Sequence, residues 1–205
     1  MPQRDLLDRV TVVQRLTTAD PGEAPTAAVR AYARHREGLK GFDGGITLRL
    51  LGPDSGFVRL DQWRGMDALL RATHDESFLP HLATVTELTE IEHELCVSVG
   101  HMPDAVPLTE AARLVLIRAV VAGEPARFEV DFGALVGQCV TAEGYGGSDL
   151  LRSVVDPRAY TGILWWRTPE ACARALATSG YLDRRSKLPG AAEVTEVQAG
   201  PLEHG

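Results

Sequence analysis

The sequence has few cysteines and no long apolar run, and both absences narrow the class of protein. Its three cysteines, Cys96, Cys139 and Cys172, are an odd number and include no C-x-x-C pair. They predict neither a disulfide framework nor a zinc site, and they suit a reducing compartment. No apolar run reaches the roughly 18 residues of a membrane span, and the polar residues 1–5 offer no signal-peptide core. We therefore predict a cytoplasmic protein with no membrane partner.

Excess positive charge and nucleotide-binding motifs are also missing. The 205 residues carry a formal net charge of −7, and no Lys/Arg cluster interrupts this balance. An acidic surface argues against nucleic-acid partners. The glycines near 41–44 and 144–147 follow predicted helices rather than opening them, so they indicate helix stops and not a phosphate loop. Because the histidines also lack metal-ligand spacing, we predict neither a metal nor a tightly bound nucleotide.

An internal repeat is the strongest feature that the sequence does have. At an offset of 103 residues, the segment 40–45 aligns with 143–148, and Trp63 aligns with Trp166, without a gap over about seventy residues. Self-similarity at a fixed offset indicates duplicated structural units. We predict a first repeat at 1–102, a linker at 103–111 and a second repeat at 112–205, with the active site in the first.

Both repeats show the same order of predicted elements. The first has strands at 9–18, 45–51, 56–63 and 91–101 and helices at 25–40 and 66–88, with a break near Pro80 left open. The second has strands at 113–121, 149–155, 159–167 and 192–199 and helices at 126–142 and 169–179. This is the ferredoxin-like order β-α-β-β-α-β. Because helices would cover only one face of each sheet, we predict an α+β protein whose two ferredoxin-like repeats form an intramolecular dimeric α+β barrel.

One strand and its surroundings carry a family resemblance. The strand 57–63, FVRLDQW, ends in Trp63 and precedes an alanine-rich helix. With the element order, it resembles the antibiotic-biosynthesis-monooxygenase family over essentially the whole chain, counted twice. The tandem layout and the stretch 73–81, THDESFLPH, are similar to the ring-opening oxygenases of angucycline pathways, of the jadomycin, gilvocarcin and kinamycin type.

The resemblance implies an oxygenase of aromatic polyketide antibiotic biosynthesis. Its substrate would be a polycyclic phenol or hydroquinone, which is oxidised or ring-opened by O2. Reduced flavin, FADH2 or FMNH2, would be a diffusible co-substrate from a separate flavin reductase, and a mechanism without flavin stays open. A homodimer of the tandem chain also stays open.

Three alternating residues on one strand are the first candidates for chemistry. Arg59, Asp61 and Trp63 share one strand face, and the counterparts of the first two are the apolar Gly162 and Leu164. In an apolar pocket a carboxylate is a base near neutral pH, so Asp61 would accept a phenol proton and Arg59 would hold the phenolate. The resemblance places an active-site tryptophan at Trp63. The alternative is a surface ion pair beside a packed tryptophan.

Two histidines and four aromatic residues complete the candidate site. His35 and His74 are possible proton donors or acceptors, because imidazole titrates at about pH 6.5; the counterpart of His74 is Ala177. Aromatic side chains would line the substrate cavities, although packing explains them equally well. They are Phe57, Tyr32, Tyr160 and Trp166.

Other functions remain open at this stage. The cofactor-free anthrone oxygenases of the resembled family carry an asparagine four residues before the tryptophan, where this chain has Arg59. A polyketide cyclase would use the same base without oxygen. Haem degradation would require an asparagine on the first strand, where residues 12–14 read Val-Val-Gln. A small-molecule binding module is the non-enzymatic alternative.

Overall fold

The computed structural model describes residues 9–20, 22–52, 56–102 and 105–202. The chain divides into two compact units, 1–97 with 202–205 and 98–201. Within the described ranges, no helix combines the length and the hydropathy of a transmembrane span. The predicted repeat boundaries and linker stay a prediction, and parts of them, at 1–8, 103–104 and 203–205, lie outside the described residues.

The first unit is a four-stranded antiparallel sheet with three helices. Its elements are β1 (Val10–Thr17), α1 (Glu23–Glu37), β2 (Phe42–Leu51), β3 (Gly56–Trp63), α2 (Met66–Thr73), α3 (Phe78–Thr86) and β4 (Glu90–Met102), which continues past residue 97. The strand order is β4-β1-β3-β2. This order, with the first strand beside the third, is that of a ferredoxin-like unit.

The second unit repeats this topology. Its elements are a 3-10 turn (Leu108–Glu110), β5 (Arg113–Val121), α4 (Pro125–Cys139), β6 (Tyr145–Ser153), β7 (Ala159–Trp166), α5 (Pro169–Leu176), α6 (Ser179–Arg185), a second 3-10 turn (Leu188–Gly190) and β8 (Ala192–Pro201). The strand order β8-β5-β7-β6 corresponds to that of the first unit. The predicted α+β class and the two ferredoxin-like repeats are confirmed.

The second helical segment of each repeat differs from its prediction. The helix predicted at 66–88 is two helices, because the chain turns after Thr73 and Pro80 lies in the first turn of α3. In the second unit, α6 was not predicted at all. It begins after Thr178, whose side chain accepts a hydrogen bond of 3.2 Å from the amide of Tyr181. Thr168 caps α5 in the same way, since its side chain accepts a 3.1 Å hydrogen bond from the amide of Ala171.

Each sheet carries its helices on one face, and strand alternation decides which residues meet them. On β1, Val12 packs in a cluster with Leu69 of α2, and Leu16 packs in a cluster with Val29 of α1. Because successive residues of a strand face opposite sides, Gln14 between them faces the same helices. The interior between sheet and helices therefore includes polar as well as apolar side chains in the first unit.

Candidate active site

A row of four polar residues crosses the sheet of the first unit from edge to edge. Gln14 on β1 is opposite both His93 on β4 and Arg59 on β3, and Arg59 is opposite Thr47 on β2. We call these four residues the polar row. Since paired residues share a sheet face, the whole polar row faces the helices, like Gln14.

Asp61, two residues after Arg59 on β3, is held by two arginines. The guanidinium Nε of Arg36 on α1 donates a short hydrogen bond to Oδ2 of Asp61, and Nε of Arg59 lies 2.7 Å from Oδ1. Their side chains are 0% exposed for Asp61, 1% for Arg59 and 2% for Arg36. We call these three residues the charged cluster. Its members are charged groups removed from water. The favourable interaction of each with its oppositely charged neighbour offsets the cost of removing the charge from water.

Arg59 links the charged cluster to the surface. Its Nη1 donates to Oγ1 of Thr47 at 2.8 Å, and its Nη2 donates to the carbonyl oxygen of Ala33 at 3.3 Å. The same Nη2 lies 3.4 Å from Oε1 of Glu37, whose side chain is 39% exposed. Fixed by four groups on two strands and a helix, the Arg59 guanidinium has one defined orientation.

A second chain of contacts leads from Arg36 to solvent. Nη1 of Arg36 and Nε2 of Gln14 both donate to the hydroxyl oxygen of Tyr32, at 3.2 and 2.8 Å. Nε2 of Gln14 also lies 3.1 Å from Nδ1 of His93, which is exposed at the outer strand of this sheet. Partial desolvation of the imidazole, and secondly the positive charge of Arg36, lower the pKa of His93 below its usual value. The imidazole of His93 is therefore neutral near pH 7.

Aromatic rings surround the guanidinium of Arg36. Its Cζ lies 5.2 Å from the ring centroid of Trp63, 5.4 Å from that of Tyr32 and 5.7 Å from that of Phe78. These distances are typical of cation–π contacts. Phe42 packs edge-on against Trp63 with ring centroids 5.4 Å apart. The charged cluster is thus bounded by flat apolar surfaces.

Some buried polar atoms of this region have no hydrogen-bond partner among the residues that the structure describes. They are Nη2 of Arg36, Nε1 of Trp63 and Oε1 of Gln14, together with Nε of Arg59 and Oδ1 of Asp61, which face each other at 2.7 Å as an ion pair without hydrogen-bond geometry. Buried donors and acceptors are nearly always satisfied in folded proteins, since leaving one unpaired costs about 1–3 kcal/mol. The arrangement can therefore supply two N–H donors to an acceptor atom that enters the interior.

The equivalent interior of the second unit is largely apolar, although Glu196 stands at the position of His93 and accepts hydrogen bonds from Tyr181 and Arg185. Six polar residues of the first unit correspond, 103 positions later, to residues without a strong hydrogen-bonding side chain. Gln14, Tyr32, Arg36, Thr47, Arg59 and Asp61 correspond to Ile117, Leu135, Cys139, Leu150, Gly162 and Leu164. The ring of Phe132 fills the space above Gly162, where an added Cβ would lie 2.2 Å from Cε2. The second unit has a packed hydrocarbon core in the place of the charged cluster.

The structure brings together four of the residues that the sequence predicts for the site. Asp61, Trp63, Arg59 and Tyr32 all belong to the charged cluster or touch Arg36. The expected surroundings of Asp61, an apolar pocket, are corrected: two guanidinium groups enclose its carboxylate. Its part as a proton acceptor stays a prediction.

The other three predicted aromatic residues do not contact the charged cluster directly. Phe57 belongs to the apolar cluster that also contains Tyr32 and Phe78, and its ring centroid is 5.1 Å from Cζ of Arg49. Tyr160 and Trp166 belong to the apolar core of the second unit. The hydroxyl of Tyr160 donates to Glu129 at 2.7 Å, and burial and this bond raise the pKa of Tyr160.

The two predicted histidines do not join the charged cluster. His74 is exposed just after α2, with Nδ1 2.9 Å from the carbonyl oxygen of Leu70 in the same helix. The ring of His35 stacks on that of His81 with centroids 4.2 Å apart, and burial, with the charge of His81, lowers its pKa. Grouping these histidines with Asp61 is therefore corrected, because His74 is held by its own helix and His35 packs against α3; their catalytic roles stay a prediction. Among the described residues, no set of three or more His, Cys, Asp or Glu is placed to hold a metal ion.

Sequence reasoning missed Arg36, Gln14, Thr47 and His93. A signal for the first was present, because Tyr32 and Arg36 are four residues apart and share a helix face. Comparison of the repeats would have added Gln14 and Thr47, since they match Ile117 and Leu150. A polar residue that replaces an apolar one at an interior position of a duplicated unit is the signal for these two, whereas His93 matches the polar Glu196 and has no such signal.

The comparisons with known proteins bear on the fold. No family model and no curated protein matches the chain. Solved structures do match. A provisionally named monooxygenase from Fusobacterium nucleatum has 10% identity and a TM-score of 0.74, covering 95% of this chain and 92% of that one. An anthrone oxidase-like protein has 14% identity and a TM-score of 0.73, covering 96% and 92%.

A third solved structure extends this likeness to nearly complete coverage. A monooxygenase-like protein from Listeria innocua has 9% identity and a TM-score of 0.57, covering 99% of this chain and all of that one (100%). At these identities, similarity of structure is evidence about architecture and not about chemistry. The chain therefore shares its fold with these monooxygenase-like proteins.

Proposed function

We propose that the chain is an oxygenase that oxidises an electron-rich aromatic substrate with O2. The observation that carries the proposal is the charged cluster inside the first unit, with Trp63 and Tyr32 beside the guanidinium of Arg36. A phenol that loses its proton becomes a much better electron donor. A buried guanidinium next to aromatic rings stabilises that ionised state.

The finer form of the proposal names a polycyclic phenol or hydroquinone of aromatic polyketide biosynthesis, of the angucycline kind. Support comes from the resemblance of the strand 57–63 and the stretch 73–81, and from a fold shared with an anthrone oxidase-like protein. Reduced flavin would be a diffusible co-substrate from a separate reductase. We assign no residue of this chain to the flavin, and the roles of the site residues do not depend on a flavin.

Each residue of the site has a task that follows from its contacts. Trp63 and Tyr32 provide the flat surfaces against which an aromatic ring lies. Arg36 stabilises negative charge on the substrate oxygen, while Asp61 and Arg59 fix the orientation of its guanidinium. The neutral His93 at the solvent side is available to accept a proton. Because the second unit lacks the counterparts of Arg36, Arg59 and Asp61, it would act as scaffold.

Oxygen uptake tests the proposal directly. The purified chain would be mixed with angucycline-type phenols under air, with and without flavin, NAD(P)H and a flavin reductase, and products would be followed by mass spectrometry with 18O2. We expect substrate-dependent uptake above the reductase background and label in the product. Absence of both, with and without the flavin system, would contradict an oxygenase.

The same assay separates the alternatives. Label incorporated without flavin would indicate a cofactor-independent monooxygenase. A product formed without oxygen uptake would indicate a polyketide cyclase, which uses a base but no oxidant. Binding with no turnover under any condition would indicate a small-molecule binding module.

A further inference from the structure

The formal charges in the interior of the first unit do not cancel. The charged cluster has two guanidinium groups and one carboxylate, and all three side chains are at most 2% exposed. Glu37 approaches Arg59, but its side chain is 39% exposed and 3.4 Å away. Asp61 is the fully buried carboxylate of the charged cluster, and the half-exposed Glu37, ion-paired with Arg59, compensates the second positive charge only in part. Since an uncompensated buried cation is strongly unfavourable, the interior calls for another negative charge.

The unused hydrogen-bond donors lie at the arginine that lacks full compensation. Arg36 uses Nε for Asp61 and Nη1 for Tyr32, while Nη2 has no acceptor in the described parts of the chain. Nε1 of Trp63, whose ring is 5.2 Å from the Arg36 Cζ, also lacks one. The hydroxyl oxygen of Tyr32 accepts two hydrogen bonds, so its own proton is available as a third donor.

We infer that Arg36, with Trp63 as second donor, forms a binding site for the ionised oxygen of an aromatic ligand, a phenolate. The aromatic identity of the ligand rests on the proposed function, whereas the anionic oxygen rests on the charges and donors. A few donors among three aromatic rings suit one oxygen on a flat ring. A phosphate or sulfate would need donors for three or four oxygens. The positive charge of the guanidinium favours the ionised form of a bound phenol and so lowers the pKa of that phenol.

The second unit provides a matched control. Nε1 of Trp166 is also buried without a partner among the described residues, and Trp166 corresponds to Trp63. However, Cys139 and Leu164 stand where the first unit has Arg36 and Asp61. An unpaired indole N–H is thus common to both repeats, and the guanidinium distinguishes the proposed phenolate site.

Ionisation of a bound phenol measures the proposed site without any turnover. The probes are 4-nitrophenol and 1-hydroxyanthraquinone, whose phenolates have distinct visible absorption. Each would be titrated with pH, free and bound to the full-length protein. We expect the bound phenol to ionise at a lower pH, with its ionisation constant raised about tenfold, which is one pKa unit. The wild-type complex would be compared with variants of the two donors.

The variants have different expected effects. Arg36→Met should abolish the increase, Trp63→Phe should reduce it severalfold, and Trp166→Phe should leave it unchanged. Circular dichroism and thermal melting would verify folding. If Arg36→Met does not fold, Arg36→Lys is the alternative. Lysine keeps the positive charge but lacks the planar set of N–H donors of a guanidinium, so the bound phenol should have an intermediate ionisation constant.

Specific outcomes would overturn the inference. The first is that the phenol binds with the ionisation constant that it has in solution, or that neither probe binds. The second is that the pKa shift of the bound phenol is the same in Arg36→Met or Arg36→Lys as in the wild type. The third is that sulfate displaces the probe at the same concentration as a competing phenolate does. Failure of the oxygenase assay with a retained shift would remove the proposed activity and leave the site. Turnover without a shift in the pKa of the bound phenol would remove the proposed phenolate site and leave the oxygenase activity.

Discussion

Gly45 on β2 is paired with Asp61 on β3, and its lack of a side chain leaves room for the Asp61 carboxylate. An added Cβ at Gly45 would lie 2.8 Å from Oδ1 of Asp61 and 2.7 Å from the carbonyl oxygen of Leu60. The second repeat has Ser148 at this position, opposite Leu164, where no carboxylate must fit. The absence of a side chain at Gly45 is therefore one of the conditions that allow the charged cluster to form.

Replacing Gly45 with alanine should destabilise the first unit. The new methyl group would displace the Asp61 carboxylate and strain the strand, at about 1–3 kcal/mol in the free energy of unfolding. Gly44→Ala is the matched control, because an added Cβ there meets nothing within 4 Å, and we expect a change of about 0.5 kcal/mol or less. Urea unfolding would measure both. Equal effects at the two positions would argue against the collision.

Neutralising Asp61 should be far more damaging than neutralising an acidic residue at the surface. Asp61→Asn would leave two buried guanidinium groups without their shared anion, and we expect a loss of about 3–5 kcal/mol. Asp43→Asn is the control, since its partners Arg9 and Arg64 are 75% and 71% exposed, and its loss should be about 1 kcal/mol or less. A similar midpoint of chemical unfolding for both variants would refute the dependence on burial.

His93 should make the folded protein sensitive to acid. Its pKa is lowered in the folded state, so the unfolded chain binds the proton more readily. The contribution of His93 to stability is then present above about pH 6.5, the pKa of an unperturbed histidine, and is lost as the pH falls through the lower folded value. An NMR titration of the imidazole should give a midpoint below that of a free histidine.

The cause of the His93 shift can be tested separately. Arg36→Met removes the nearby positive charge that contributes to the shift, so the midpoint should move upward towards the ordinary value. The acid limb of the stability curve should become shallower for the same reason. A wild-type midpoint at or above the ordinary value would refute the assigned environment.

The core of the second unit should respond to packing and not to charge. Gly162→Ala would place a methyl group against the Phe132 ring and should cost about 1–3 kcal/mol of unfolding free energy. Gly133→Ala in α4 meets nothing within 4 Å and should stabilise the protein by about 0.4–1 kcal/mol. Both variants, assayed well below their melting temperatures, should keep wild-type turnover. A tenfold fall in kcat for Gly162→Ala would instead place the second unit in the reaction.

The sequence was most informative where the two repeats agree. Gly41 and Gly144 are equivalent, both have positive φ (93° and 77°), and in both an added Cβ would collide with the Cβ of an alanine in the following helix. Such positions are set by local geometry, so they recur in both copies and predict the element order. The break in the first repeat's second helical segment was predicted near Pro80 but lies between Thr73 and Phe78, because Pro80 fits the first turn of α3 and does not end a helix.

The candidate site was harder to predict, because its contacts are distant in the sequence. Arg36 lies between Arg34 and Glu37 in a helix whose charges suggest a solvated face, yet it pairs with Asp61, twenty-five residues later. No local pattern announces that pairing. His74 seemed attractive through family resemblance, but its place directly after α2 lets the ring bind the helix that precedes it.

The apolar replacements in the second unit have an evolutionary consequence. A single change such as Leu164→Asp would introduce a carboxylate among hydrocarbon side chains, without the guanidinium groups that accompany Asp61 in the first unit. Each intermediate on a path back to two polar interiors would thus be less stable than either end point. Single substitutions would therefore not convert the second interior into a second charged cluster, and the first unit is the one in which variation of the charged residues can change chemistry.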